Sequence, residues 1–166
     1  MAWLDAHQPD DVANCVIHND FRFDNLVLDA PEDGSRPPTV VAMLDWEMAT
    51  LGDPLMDLGG ATAYWVQADD DEFFSEFRRQ PTHLEGMLTR DEVVEYYCRR
   101  SGLSVSPGQW RFYEVFGLFR LAVIAQQIYY RYHHGQTTNE AYAVFLPAVQ
   151  YLEGRCARII AGAERG

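Results

Sequence analysis

Lysine is missing from this sequence. All thirteen basic residues are arginine, against 25 acidic residues, which gives a net charge of −12 over 166 residues. Proteins that bind nucleic acid need basic stripes to neutralise phosphates, so we expect no nucleic-acid partner. The same balance argues against an anionic membrane surface. The acidity is compatible with a cationic small molecule, although net charge often serves solubility alone.

Cysteines are few and widely spaced. Cys15, Cys98 and Cys156 form no C-x-x-C pair, a pattern typical of reduced thiols in a cytoplasmic protein. The first residues contain neither a basic region nor an apolar run, so we expect no signal peptide. The most apolar stretch, residues 115–125, is interrupted by Arg120 and is shorter than the ~20 residues of a membrane span. We therefore expect a cytoplasmic protein without a membrane partner.

The composition is that of a folded chain. Hydrophobic residues make up 48% and aromatic residues 13%, as in globular proteins. The length favours one domain around one hydrophobic core, and no internal repeat or linker is evident. We therefore expect a single domain over residues 1–166.

Two short polar motifs each stand beside a predicted strand. The first, HNDFRFDN at residues 18–25, reads H-x-D-x-x-x-x-N, and the second is LDWE at residues 44–47. Together they offer the carboxylate of Asp20, the amide of Asn25 and the carboxylate of Asp45. A carboxylate that accepts a hydroxyl proton, with an Asn and an Asp that hold magnesium against phosphates, suits phosphoryl transfer.

A predicted β-hairpin relates the two motifs in space. Aliphatic runs at residues 26–28 and 40–44 flank a segment rich in Pro, Gly and Asp, which predicts two strands joined by a long exposed loop. Asn25 would stand at the start of one strand and Asp45 at the end of the other. Antiparallel pairing would bring them side by side, where one metal ion could bridge them.

Helix signals follow through the rest of the chain. Thr89 with Glu92 forms a capping box, and Ser106 followed by Pro is a typical helix start. Gly102 is expected to end a helix and Pro147 to kink one. The predicted helical segments cover residues 52–66, 73–79, 93–100, 107–133 and 139–160. The whole pattern predicts an α+β fold with a small β element followed by four or five helices.

The two motifs resemble those of the aminoglycoside phosphotransferase family, whose fold is protein-kinase-like. The run HNDFRFDNLVLD is similar to its catalytic loop, and MLDWEMATLGDPLMDLG to its metal-binding Asp and the following helix. Similar stretches cover about residues 3–65, and the second is especially similar to kinase-like domains joined to acyl-CoA dehydrogenases. The resemblance implies a mostly helical C-terminal lobe, with a small β-hairpin carrying the catalytic and metal-binding loops.

The resemblance also implies roles for residues. Asp20 would be the catalytic base, and His18 would brace its loop. Asn25 and Asp45 would be the ligands of Mg²⁺ and, through it, of ATP in the complete two-lobe enzyme. The partner would be a small-molecule hydroxyl acceptor.

Further positions follow or depart from the family pattern. Asp57 would hydrogen-bond the backbone of the catalytic loop, and Asp53 would cap the helix that carries Asp57. Asn19 stands where Gly is commoner, and Trp46 with Glu47 replaces the Phe-Gly of kinases. Glu47 would be either a group near the metal or an exposed residue.

The nucleotide-binding parts of such an enzyme are not found in the sequence. Only seventeen residues precede His18, and they contain neither a glycine-rich loop nor a Lys. The resemblance therefore implies a C-terminal lobe whose N-terminal nucleotide-binding lobe is absent. Arg22 is an unfavourable substitute for the Lys, because the catalytic loop ties its position.

Three hypotheses follow for function. The first is the catalytic lobe of an ATP- and Mg²⁺-dependent small-molecule O-kinase, acting on an aminoglycoside or on a hydroxyacyl or other metabolite. The second is a non-catalytic truncated remnant that acts as an oligomerising or binding module, a homodimer covering the surface of the missing lobe. A weaker third is metal-dependent phosphoester hydrolysis by the same Asp/Asn/Asp set.

Three other groups have a structural and a functional interpretation. Residues 69–72 form either a solvated helix start or a cation site, and the former is favoured. His133 and His134 suit the C-terminal end of a helix better than a metal site. Tyr129 and Tyr130 belong to an aromatic series at helical spacing that is mostly core. Alternatively, by the family resemblance, Tyr129, Tyr130 and Tyr132 line an acceptor site.

Overall fold

The structure, a computed structural model, describes residues 1–162. Its backbone contacts divide the chain into two units. One, the motif unit, comprises residues 11–104, and the other, the helical unit, comprises residues 1–10 together with the described residues from 105 onward. The single domain expected from the length stays a prediction.

The motif unit contains two antiparallel sheets of two strands each. The strands are β1 (Cys15–Ile17), β2 (Leu26–Asp29), β3 (Thr39–Met43) and β4 (Thr50–Gly52), with β1 paired to β4 and β2 to β3. Leu26 lies opposite Met43, and the pairing shifts register after Val27. The predicted hairpin is confirmed, and the strands place the first motif directly before β2 and the second directly after β3.

The pairing of β1 with β4 was not predicted. A strand of three residues is too short to show alternation of apolar and polar side chains, and Gly is unfavourable in most strands. Gly52 lies opposite Cys15 in the register. A Cβ atom at Gly52 would come within 2.9 Å of Ile17 Cδ1, so glycine lets the buried Ile17 side chain pack beside the strand.

Three helices complete the motif unit. They are α2 (Pro54–Ala63), α3 (Glu72–Glu76) and α4 (Arg90–Ser101), numbered after α1 (Ala2–His7) of the other unit. Asp53 caps α2 by accepting a 2.8 Å hydrogen bond from Leu55 N, as predicted. The helices α2 and α3 each end three residues earlier than predicted.

Helix α4 has the predicted ends. Thr89 and Glu92 form a reciprocal capping box, and Gly102 adopts a left-handed conformation with φ 71°. The Thr89 backbone N–H and hydroxyl both donate to Glu92 and hold the pKa of that carboxyl below its usual value. Such a cap supplies partners for backbone N–H groups at the helix start.

The acidic segment before α3 is more than a solvated helix start. Asp71 caps α3 by accepting from Phe74 N at 2.9 Å. The Asp70 carboxylate is only 7% exposed and receives two hydrogen bonds from Arg90, of 2.7 and 2.8 Å. Arg90 also donates to Trp65 O at 2.7 Å. The solvated interpretation is therefore wrong for Asp70. Its hydrogen bonds with Arg90, which also contacts Trp65, join the start of α4 to the residues that follow α2.

The helical unit contains one short α-helix and two long ones. They are α1 (Ala2–His7), α5 (Pro107–His133) and α6 (Phe145–Ala161). Helix α5 begins with a capping box between Ser106 and Gln109, and it packs along α6. The buried side chains of this unit include Trp110, Phe112, Tyr113, Leu118, Leu152 and Ile159.

The predicted kink at Pro147 is wrong. Residues Glu140–Val144 form a separate 3₁₀ helix, and α6 begins only at Phe145. Pro147 therefore lies in the first turn of α6. The N–H groups of a first turn have no partner within their own helix, so the missing N–H of proline removes no hydrogen bond of α6.

The end of α5 is an exposed aromatic cluster. Tyr130 is 52% exposed and stacks on His134 at 4.0 Å between ring centroids, while Tyr129 stacks on His133 at 5.8 Å. The core interpretation is therefore wrong for Tyr130. Within residues 1–162 no group of three or more His, Cys, Asp or Glu side chains is placed to hold a metal ion, and none of the helices there is long and apolar enough to cross a bilayer.

Replacing Asp70 by Ala should lower the free energy of unfolding by about 3 kcal/mol, because it leaves the Arg90 guanidinium without its buried carboxylate. The matched control is Asp69→Ala, at an exposed neighbour, which should change stability by less than about 0.5 kcal/mol. Urea unfolding measures both. Equal stability of the two variants would show that the pair contributes no more than a surface contact.

Candidate active site

Asp57 anchors the loop of the first motif, residues 18–25, to helix α2. Its two carboxylate oxygens accept hydrogen bonds from the backbone N–H groups of His18, at 2.7 Å, and Asn19, at 2.8 Å. This confirms the predicted contact. Hydrogen bonds to an ionised acceptor are about twice as strong as those between neutral groups, so the start of the loop is fixed to the first turn of α2.

His18 joins the two motifs. The ring is only 3% exposed. Its Nε2 lies 2.8 Å from Leu44 O, and its Nδ1 lies 3.2 Å from Asp20 N. Since a carbonyl can only accept, the tautomer inferred from these partners carries the proton on Nε2 and accepts at Nδ1. One neutral imidazole thus holds Asp20 and the residue before Asp45 at once.

Asn19 adopts a backbone conformation that explains its departure from glycine. Its φ is 65°, in the left-handed region where Gly is unstrained and Asn is better tolerated than most side chains. The side-chain amide donates to Met48 O at 3.0 Å. Asn therefore keeps the turn that Gly would allow and adds a contact to the second motif.

Asn25 lies against Asp20 and presents an oxygen. It is 8% exposed, and its Nδ2 donates to Asp20 O at 2.8 Å and to Asp20 Oδ2 at 3.4 Å. Nothing in the described part of the chain donates a hydrogen bond to Asn25 Oδ1. The amide is thereby oriented with its nitrogen on Asp20 and its oxygen available to a cation.

Asp45 follows directly after the hairpin. Leu44 N donates to Asn25 O at 2.8 Å, which continues the pairing of β2 with β3 and brings Asp45 next to the catalytic loop. Asp45 has φ 65° and does not cap the following 3₁₀ turn, Trp46–Met48, through its side chain. A non-glycine residue in this conformation costs about 1–2 kcal/mol, and such strain clusters at functional sites. Glu47 is exposed.

The donor set fits a magnesium ion. Mg²⁺ binds oxygen atoms and in proteins is typically held by one or two carboxylates together with water and substrate phosphates. Asn25 offers an amide oxygen against Asp20, whose side chain is 27% exposed, and Asp45 offers a carboxylate one residue beyond the Leu44 that pairs with Asn25. The roles of His18, Asp20, Asn25 and Asp45 in catalysis and metal binding stay predictions.

Arg22 occupies a constrained position beside the site. Its guanidinium lies 3.4 Å from Asp20 Oδ2 and 3.4 Å from Asp24 Oδ2, and it stands over the Tyr64 ring at 5.4 Å. Its Nε is buried and makes no hydrogen bond within residues 1–162. The side chain is thus tied to the loop, as predicted.

Gln80 supports the loop from a distant part of the chain, and sequence reasoning missed it. It is 7% exposed, its Oε1 accepts from Phe23 N at 2.8 Å, and its Nε2 donates to Tyr64 O at 3.3 Å. A single Gln between Arg79 and Pro81 carries no local signal of burial. Only the fold brings it to the backbone of the first motif.

Structural comparison places this arrangement in a known class. The chain is similar to the crystal structure of a Ralstonia eutropha protein assigned as an aminoglycoside phosphotransferase, with a TM-score of 0.75 and 26% identity over 99% of this chain and 48% of that one. The α+β, kinase-like fold is therefore confirmed. The sequence matches the model of the phosphotransferase enzyme family over residues 1–93. The chain belongs to that family.

Curated relatives come from the branch that the second motif indicated. Acyl-CoA dehydrogenase family member 11 of Rattus norvegicus is 32% identical over 142 residues, covering 83% of this chain and 17% of the relative. Member 10 of Mus musculus is 34% identical over 137 residues, covering 82% and 12%. Human member 11 is 32% identical over 151 residues, covering 90% and 18%. The chain thus spans less than a fifth of the length of these relatives.

The backbone requirement at residue 19 can be tested with a pair of variants. Asn19→Gly and Asn19→Val both lose the hydrogen bond to Met48 O, so their difference reports the backbone alone. Asn19→Val should be less stable than Asn19→Gly by about 1–2 kcal/mol or more, since a β-branched residue disfavours positive φ. Urea unfolding measures this difference.

The control is the same pair at Asn14, an exposed residue without positive φ. There Val should be no less stable than Gly. Equal stability of the two Asn19 variants would contradict the left-handed conformation at that residue.

Proposed function

We propose that this chain carries the catalytic residues of an ATP- and Mg²⁺-dependent phosphotransferase that acts on a hydroxyl group of a small molecule. The observation that carries the proposal is the hydrogen bonding that joins the two motifs. Asn25 is hydrogen-bonded to Asp20, and the backbone bond from Leu44 N to Asn25 O places Asp45 one residue along the chain from that contact. Phosphoryl transfer depends mostly on such positioning and on charge neutralisation.

Asp20 is the group suited to accept the proton of the attacking hydroxyl. Its carboxylate is partly accessible, and its backbone is held on both sides, by His18 Nδ1 and by the Asn25 amide. Asn25 and Asp45 would hold Mg²⁺, which when bound supplies the positive charge that neutralises the nucleotide phosphates. The chain would therefore supply both the proton acceptor and the ligands of the cation.

The cation that anchors the nucleotide phosphates is not evident among the groups around this site. Arg22 is engaged with Asp20 and Asp24. The activity is therefore best tested on the longest polypeptide that the gene encodes in frame with this chain, beside the chain itself. Reading the coding sequence upstream of Met1 shows whether strands with a glycine-rich turn and a Lys belong to the same polypeptide.

Replacing Asp20 by Asn should lower kcat about 10²–10⁴-fold, because the amide cannot accept the hydroxyl proton. The measurement is transfer of labelled phosphate from ATP to a panel of hydroxyl acceptors. Asp33→Asn, in the loop between β2 and β3, is the matched control and should leave turnover unchanged. Full turnover by a folded Asp20→Asn variant would contradict the assignment of Asp20 as the proton acceptor. Release of phosphate from an ester without ATP would favour hydrolysis instead.

A second candidate function, a homodimerising module, is favoured by exposed apolar side chains on the strands of the motif unit. Both sheets have only two strands, so each strand leaves one edge unpaired by strands within residues 1–162. Such edges and patches favour association, and a two-fold dimer is the commonest outcome. The side chains are Val16, Leu28, Val40, Val41 and Leu51, exposed by 52–68%. We propose that a second copy of the chain covers them.

Sedimentation equilibrium tests this proposal on the 19.0 kDa chain. The wild-type chain should sediment at twice that mass, and Val41→Glu with Leu51→Glu should shift it to the monomer, because buried unpaired carboxylates are unfavourable at an interface. Leu84→Glu, at an exposed residue outside the strands, is the control and should leave the dimer intact. A monomeric wild-type chain at every concentration would remove this candidate.

A further inference from the structure

A cavity of about 310 Å³ lies within the motif unit, next to the catalytic loop. The loop contributes to one wall, and helices α2 and α4 contribute to others. The cavity is therefore separate from the proposed metal ligands, since Asn25 and Asp45 do not line it. Its apolar lining includes Phe21, Phe23, Trp46, Leu58, Trp65 and Val93.

Most polar groups on the cavity wall are already used by the protein. The Asp57 oxygens accept from the loop backbone, and both nitrogens of His18 have partners. Gln80 uses its oxygen and its nitrogen, and the Thr62 hydroxyl donates to Gly59 O at 3.1 Å. A ligand in this cavity would therefore find few polar partners.

Two lining residues retain polar character, and neither presents an unpaired charge. Burial raises the pKa of Tyr97, with Cys15 and Asp57 adding to the effect, so its phenol is neutral at ordinary pH. Arg22 has a buried Nε without a hydrogen-bond partner in the described chain, but its charge is balanced by Asp20 and Asp24. The complementary ligand is uncharged, mostly apolar, and carries at most one or two hydrogen-bonding oxygens.

The volume fits a small organic group. A dry apolar cavity of about 150 Å³ is large enough for benzene, and ligand pockets begin at about 300 Å³. An aminoglycoside is a polycation and would need several free carboxylates, whereas the carboxylate on this wall, Asp57, is engaged with two backbone N–H groups.

We infer that this cavity binds the uncharged apolar body of the acceptor, so that the substrate is an alkyl or aryl alcohol rather than a polycationic aminosugar. The identity of the ligand as the acceptor rests on the proposed phosphotransfer, whereas the binding itself does not. The cavity shares the loop that carries Asp20 with the proposed site. An apolar group held there places its molecule beside the proton acceptor.

The test uses linear alcohols from butanol to decanol with the full chain and without nucleotide. Binding is measured by competition against bromooctanol, whose bromine quenches the fluorescence of Trp46 and Trp65 in the cavity wall. Each added CH₂ should tighten binding about fourfold, from ~0.8 kcal/mol per buried methylene, until the cavity is filled. Affinity that does not depend on chain length would overturn the inference.

A cavity-filling variant makes the test specific. Ala61 lines the cavity, so Ala61→Phe should weaken octanol binding at least tenfold, whereas the matched control Ala68→Phe, at an exposed residue, should not. Circular dichroism confirms folding, and Ala61→Leu replaces the larger substitution if that variant does not fold. Equal binding by the Ala61 and Ala68 variants would place the alcohol elsewhere and overturn the inference.

The same experiment separates this inference from the proposed function. Asp20→Asn should bind octanol as tightly as the wild-type chain, because the cavity does not include Asp20. Alcohols that bind in the cavity but receive no phosphate in the longest encoded polypeptide would support the cavity and count against phosphotransfer to its ligand. Transfer to an aminosugar without alcohol binding would overturn the inference and leave phosphotransfer intact.

Discussion

The rest of the site depends on one carboxylate that binds two backbone N–H groups. Asp57 sits in the first turn of α2, a helix whose start is fixed by the Asp53 cap and by Leu55, which has no exposed surface. Through Asp57 this helix determines where the loop of the first motif begins. A neutral side chain of the same shape would leave one donor without an acceptor, so the charge and the position of this residue are both required.

Beyond that anchor, further hydrogen bonds fix successive residues of the loop. His18 holds Leu44 O and Asp20 N, and Asn25 holds Asp20 from the other end of the loop. Two residues, Asn19 and Asp45, stay in left-handed conformations. Such strained conformations persist where the surrounding hydrogen bonds hold the backbone in place. A backbone held in this way suits a site whose geometry is set before a ligand binds.

The parts predicted from sequence are those with a local cause. The hairpin, the caps of α2, α4 and α5, and the contact made by Asp57 follow from turn residues, capping patterns and a family motif. Other features join segments far apart in the chain: the pairing of β4, the Asp70–Arg90 pair and the support from Gln80. A very short strand or a single residue shows no periodic sequence pattern from which such a contact could be predicted. The prediction of a kink at Pro147 was wrong because the start of the helix had been placed six residues too early. Packing determines where this helix begins, and residue propensity does not.

Carboxylates predominate around the proposed site. Asp20, Asp24 and Asp45 bring three carboxylates to the loop and its neighbour, and Arg22 is the cation that the structure shows in contact with two of them. In an acidic chain without lysine, a polyphosphate would be repelled here unless it came with its own cation. Under the proposed function, binding of a nucleotide would depend on the oxygen donors of Asn25 and Asp45, and the apolar cavity beside the loop would favour an acceptor that adds no charge of its own.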